Sequence, residues 1–204
     1  MVVITCIIAL KDENENRVIV GADGQGTSDD VSLNFGEKIF SLNIPVVNNV
    51  DEEEMIGEDE IYFLIAGSHY LESYLKSAFT PPSKLVDEDI LDYLYNQFFQ
   101  VLNNELTLHG LLKNKEGALE SEAGLIIIYD GRLFNVYSDF SIVEDPNQFT
   151  VHGSGWKIAT SVLTNLLEFH SNLDRKKMVD EALWTTGELN IYCNKDIHIK
   201  EIIF

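Results

Sequence analysis

Two side chains able to act as nucleophiles, Thr5 and Cys6, lie within the β-branched apolar run that opens MVVITCIIALKDENENRVIVGADGQGTSDD. A carboxylate, Asp23, ends the next apolar run, RVIVGAD, and an amine, Lys38, stands in a third, EKIFSLN. Small residues suited to tight turns recur at Gly67-Ser68 and at Gly153-Ser154-Gly155. A threonine hydroxyl attacks a carbonyl well only when a neighbouring base takes its proton. Taken singly, each residue has an ordinary reading. Threonine is a good strand former, a lone lysine is usually at the surface, and glycine-serine pairs make turns.

Other chemistries find no support in the residue spacing. The chain has no Walker A loop, no GxGxxG after a strand, no HExxH and no CxxC. GSGW, from Gly153, lacks the GxSxG form of a hydrolase elbow. His69, His109, His152, His170 and His198 are scattered without ligand spacing, so neither a metal nor a cofactor is expected. Seven of the ten residues from Asp51 to Glu60 are acidic, but their order matches no calcium loop. That block reads as a solvated loop.

The elements that must position these residues follow from periodicity. Val2–Leu10 and RVIVGAD form a hairpin around the polar KDENENR, and their continuous apolar character predicts strands covered on both faces. EKIFSLN and IYFLIAG are further strands, and GQGTSDD and KNKEGALESE are loops. SHYLESYLKSAF is a helix with Ser68 as its N-cap, and the spacing of Ile90, Leu91, Leu94, Phe98, Val101 and Leu102 predicts a longer helix over 87–112. AGLIIIYDGRLFNVYS is a hairpin turning at Asp130-Gly131. QFTVHGSG is a strand running into a turn, and 156–169 and 174–187 are helices, the second ending on Gly187. ELNIYCN and IHIKEIIF close the chain as strands. Strands and helices come in segregated groups, which indicates α+β rather than a doubly wound sheet.

With 204 residues, the chain is long enough for one domain with a sizeable core, expected over 1–204. The net charge of −20 opposes nucleic acid or an anionic membrane as partner. Two cysteines make no disulfide framework, and no apolar run reaches 18 residues. The N-terminus lacks the basic and small-residue marks of a signal peptide, so a cytoplasmic location is expected.

In order along the chain, TCIIALK, VIVGADGQGT, EKIFSLN, IAGSHYLESYL, VHGSGWKIATSVL and EALWTTGELNIYCN resemble the proteasome β-type, HslV-like family of N-terminal nucleophile hydrolases. No single motif is specific, but six in sequence are. The resemblance implies a four-layer αββα sandwich of two antiparallel sheets flanked by helices. It also implies a threonine-type peptidase acting in a homo-oligomeric ring on peptide or protein substrates, with an ATPase partner. It assigns Thr5 as nucleophile and, through its freed α-amine, as base. Asp23 and Lys38 give electrostatic support, the Gly67 amide binds the oxyanion, and Ser154 and Glu188 position the amine.

Three features depart from the family pattern. MVVI precedes Thr5, so the scheme requires cleavage after Ile4, where the family generally has glycine or the initiator methionine. Glu188 stands where an aspartate is usual, and the acidic stretch from about 43 to 60 reads as an insertion. Cys6 is a rival nucleophile one residue along. The alternatives are a catalytically silent scaffold subunit with an unprocessed N-terminus, and a small-molecule amide hydrolase with the same site.

Overall fold

The computed structural model describes residues 5–28, 31–34, 38–49, 55–110, 112–115, 118–120 and 123–204. In chain order the elements begin with β1 (Cys6–Asp12), β2 (Arg17–Asp23), β3 (Gln25–Ser28), β4 (Val31–Asn34), β5 (Ile39–Val47) and β6 (Met55–Ala66). Helix α1 (His69–Ser77), β7 (Lys84–Leu85), α2 (Ile90–Tyr93) and α3 (Phe99–Leu108) follow. Then come β8 (Lys113–Lys115), β9 (Ala118–Glu120), β10 (Gly124–Tyr129), β11 (Arg132–Val136), β12 (Ile142–Glu144) and β13 (Phe149–Gly153). Helices α4 (Trp156–Phe169) and α5 (Arg175–Leu189) precede the last strand, β14 (Ile197–Ile203).

Two larger sheets result, ordered β13-β1-β2-β14 and β12-β11-β10-β6-β5-β7, together with the two-stranded ribbons β3-β4 and β8-β9. Alternation of side chains across each strand sorts the apolar residues into layers. From β1, Ile7 and Ala9 pack with Val18, Val20, Leu64, Ile126 and Ile128 between the two sheets. From the other face of β1, Cys6, Ile8 and Leu10 pack with Ala159, Leu163, Val179 and Leu183 of α4 and α5. On the second sheet, Ile61, Phe63, Leu125 and Ile127 turn outward to meet α1 and the α2–α3 segment. The layers therefore run α4/α5, sheet, sheet, α1–α3, which is the expected αββα sandwich. Strands buried on both faces explain why β1 and β2 read as continuous apolar runs.

Local chemistry sets several boundaries where the residues indicate them. The Ser68 side chain accepts from the Leu71 N–H and starts α1. Asp130 and Gly131 both take positive φ in the β10–β11 turn, at 46° and 71°. Other boundaries differ from expectation. The helix expected over 87–112 is interrupted, because Leu94–Phe98 widens into a π-helical turn between α2 and α3. Within the expected loop GQGTSDD, Gln25–Ser28 pair with Val31–Asn34 as the ribbon β3-β4, and within KNKEGALESE, Lys113–Lys115 pair with Ala118–Glu120 as β8-β9; residues 29–30, 116–117 and 121–122 lie outside the described residues. Much of the acidic stretch is strand, since 43–47 complete β5 and 55–60 begin β6, while residues 50–54 lie outside the described residues. Helix α5 runs past Gly187 to Leu189. ELNIYCN is thus not a strand but the end of that helix and a turn, held by Asn190 Oδ1 accepting from the Tyr192 N–H at 2.9 Å.

Phe98, in the π-helical turn, has its ring within 5.0–6.2 Å of the rings of Phe63, Phe79, Tyr93 and Phe99 and is fully buried. Phe98→Ala is expected to lower unfolding free energy by about 3–5 kcal/mol in urea titration. A loss under about 1 kcal/mol would show that this aromatic cluster does not anchor the helical layer on the sheet.

Candidate active site

Antiparallel pairing brings the ends of three strands to one edge of the first sheet. In β1 and β2, Ile7 pairs with Ala22, so the residues before β1 meet those at the end of β2. On the other side of β1, Cys6 pairs with Gly153, which puts Thr5 beside Ser154. Gly153 has φ +96°, and a Cβ there would lie 2.0 Å from the Thr5 carbonyl oxygen. Only glycine permits this approach. In the second sheet Lys38 stands just before β5, where its carbonyl accepts from the Ile65 N–H of β6 at 3.3 Å. Gly67, at φ 107°, follows two residues later and leads into α1.

At this edge Lys38 Nζ donates to Thr5 Oγ1 and to the Gln25 carbonyl, and it pairs with Asp23 Oδ1 at 3.0 Å. Thr5 Oγ1 in turn donates to the Gln25 carbonyl at 2.8 Å. Ser154 Oγ lies 3.4 Å from both the nitrogen and the carbonyl oxygen of Thr5. Asp23 Oδ2 accepts from the Asn194 N–H at 3.3 Å, and the Gly24 N–H is bonded to the Asp196 carbonyl at 2.7 Å. Thr5, Asp23 and Lys38 are each at most 5% exposed.

Burial pushes the Lys38 ammonium below the ordinary lysine range, and the adjacent Asp23 carboxylate opposes that fall. The thiols behave differently. Burial raises Cys6 well above the usual thiol range and pushes Cys193 up to about 12. Both thiols are therefore held in the protonated form, whereas the Thr5 hydroxyl is the one in direct contact with the Lys38 ammonium. Among the described residues, no group of three His, Cys, Asp or Glu side chains is arranged to hold a metal ion.

Of the six residues picked from the sequence, Thr5, Asp23, Lys38 and Ser154 come together in one bonded cluster. Gly67 directly follows β6, the strand that pairs with β5 just after Lys38, and precedes the N-cap of α1. Glu188 does not join them, because it is exposed on α5 and ion-paired with Lys195. The sequence reading did not pick out the Gln25 carbonyl, which any residue could supply, or the Asn194 amide on Asp23.

Over 189 residues the chain is 33% identical to the ATP-dependent protease subunit HslV of Sulfurovum sp. (strain NBC37-1), spanning 92% of this chain and 93% of that protein. It belongs to the HslV family of proteasome-like N-terminal nucleophile hydrolases. HslV of Aliarcobacter butzleri (strain RM4018) is 26% identical over 199 residues, covering 97% of each chain. No family model matches the chain. The fold is shared with the solved structure of Thiobacillus denitrificans BPH, at TM-score 0.70 and 17% identity over 98% of each chain. The eukaryotic HslV from Trypanosoma brucei superposes at TM-score 0.61 with 15% identity, over 98% of this chain and all of that one.

The buried pair sets a stability expectation. Lys38→Met alone leaves Asp23 without its cation and is expected to cost about 3–5 kcal/mol. Adding Asp23→Asn should return most of that loss, because the buried charge is then gone and Asn194 keeps its acceptor. Additive losses in the double variant, measured by chemical denaturation, would contradict a coupled pair.

Proposed function

We propose that the chain is a threonine-type peptidase subunit in which Thr5, freed of residues 1–4, cleaves peptide bonds inside a homo-oligomeric ring. The observation that carries this reading is the donation from Lys38 Nζ to Thr5 Oγ1, with Asp23 holding the ammonium.

The chemistry follows from these groups. Thr5 Oγ attacks the scissile carbonyl carbon while its proton passes to the free α-amine of Thr5. The carbon–nitrogen bond then breaks, the amine returns the proton to the leaving amino group, and an ester to Thr5 remains. Water, deprotonated by the same amine, hydrolyses the ester and restores the hydroxyl. Lys38 stabilises the alkoxide as it forms and disfavours protonation of the neighbouring amine. The Gly67 N–H serves the oxyanion, a role typically worth about 2.7–4 kcal/mol. Ser154, at 3.4 Å from the Thr5 nitrogen, orients the amine. Glu188 has no part in this scheme, since Lys195 engages it.

The relatives' names carry ATP dependence, which supports an ATPase partner that feeds protein substrates to a cytoplasmic particle. A ring would confine the site and restrict it to unfolded chains. A catalytically silent scaffold subunit is the second reading, favoured by Ile4 before Thr5 in the sequence and by the engagement of Glu188 with Lys195.

Thr5→Ala is expected to lower hydrolysis of an unfolded protein substrate at least about 10³-fold, with assembly intact by gel filtration. Activity that persists in this variant would transfer the chemistry to another residue. The active form should gain rate with rising pH as the amine loses its proton, below the unperturbed range of roughly 7.7–8.0 because of the Lys38 charge. A rate that falls over this interval would contradict an amine base.

A further inference from the structure

Thr5 Oγ1 and Lys38 Nζ both donate to the Gln25 carbonyl, the first at 2.8 Å. The direction of that carbonyl therefore governs how the hydroxyl and the ammonium meet. Strand register brings this peptide unit to the site, at the crossing from β2 into β3. Gly24 and Gly26 flank Gln25, so of these three residues only Gln25 has a side chain able to hold the unit in place.

That side chain is tied down. Gln25 is buried, and its Nε2 donates to the Ile191 carbonyl at 3.4 Å. Ile191 belongs to the turn between α5 and β14, which reaches three successive residues at the end of β2 and just beyond. The Asn194 N–H bonds the Asp23 carboxylate at 3.3 Å, the Asp196 carbonyl accepts from the Gly24 N–H at 2.7 Å, and the Ile191 carbonyl takes the Gln25 amide. The turn is braced in its own right. Asn190 Oδ1 accepts from the Tyr192 N–H at 2.9 Å, and the Asn190 carbonyl accepts from the Cys193 N–H at 3.0 Å. Ile191 is itself exposed, so water can satisfy its carbonyl and the bond from Gln25 adds little stability. What it adds is direction.

We infer that the Gln25 side chain is a positioning group of the hydrolytic site: anchored on the Ile191 carbonyl, it aims its own main-chain carbonyl at Lys38 Nζ and Thr5 Oγ1. This deepens the threonine-peptidase reading and rests on it for the step from a directed ammonium to turnover. A hydrogen bond to a charged group favours the charged form, so a fixed Gln25 carbonyl helps Asp23 keep Lys38 protonated. Without the anchor the carbonyl can turn away, and the ammonium and the hydroxyl lose an acceptor together. Asp23, Cys193 and, least of all, Glu72 also bear on the Lys38 charge, and the variants below leave all three in place.

NMR titration of the Lys38 side chain in the full chain, assigned with Lys38→Arg, tests this without requiring turnover. Gln25→Met keeps the length of the side chain and removes its amide. It should move the Lys38 titration to lower pH by about 0.3–1 unit, with the urea unfolding midpoint little changed. Asn190→Ala removes a brace of the turn and should give a smaller shift in the same direction. Both changes act through the Ile191 contact, so the double variant should shift no further than Gln25→Met alone. In active protein, Gln25→Met should lower kcat about 3- to 10-fold with KM little changed. An unmoved Lys38 titration in folded Gln25→Met overturns the inference. A double variant whose shift is the sum of the two also overturns it, because the turn would then act through Asn194 on Asp23. If Gln25→Met fails to fold, an unmoved titration in Asn190→Ala does so instead. The expected shifts in a chain that never hydrolyses peptides would uphold Gln25 and overturn the threonine-peptidase reading alone.

Discussion

A lysine ammonium held in the interior against the cost of leaving water is the interaction on which the site depends. Lys38 is 5% exposed, and desolvation disfavours its charged form. Asp23 at 3.0 Å, itself nearly fully buried, compensates the charge. Such a pair is an uncertain source of stability, because the solvation lost is comparable with the attraction gained. Its value lies in direction. The ammonium has few places to go except Thr5 Oγ1, the Gln25 carbonyl and Asp23, and all three belong to the ends of β1 and β2 or the chain just beyond. The sandwich therefore has to hold two sheets in one register for the pair to form at all.

The layers between the sheets supply that register. Ile7, Val20 and Ala22 from the first sheet meet Ile39, Leu64 and Ile126 from the second, so β5 cannot slide without exposing apolar surface. Ile39 follows Lys38 directly, which ties the position of the ammonium to the packing of its neighbour. On the other side, β13 reaches Thr5 through Gly153, and Ser154 arrives at the threonine nitrogen as a result. Packing thus sets the distances, and the polar contacts act within limits that packing defines.

Much of this was legible in the residues. The double burial of β1 showed as an unbroken apolar run, Asp130-Gly131 marked a turn that needs positive φ, and Ser68 marked a helix start. Thr5, Asp23, Lys38 and Ser154 were legible as a set through family resemblance, since none is distinctive alone. Three features were not legible, for physical reasons. Leu189, Ile191 and Tyr192 imitate strand composition, yet they are exposed on a helix end and a turn. Glu188 was picked through the resemblance, at a position where an aspartate is usual, whereas it stands exposed on α5 and pairs with Lys195. The Gln25 carbonyl and the Asn194 amide are backbone groups, and their roles come from the strand register rather than from side-chain type.

The proposed chemistry requires Thr5 to become the first residue of the working chain. Intact-mass spectrometry of the protein purified from its native cell, under conditions where it hydrolyses peptides, measures this directly. The account predicts a mass corresponding to residues 5–204, with Thr5 at the N-terminus. Hydrolytic activity in a preparation whose chains all retain Ile4 would contradict it, because an amine locked in a peptide bond cannot accept the hydroxyl proton.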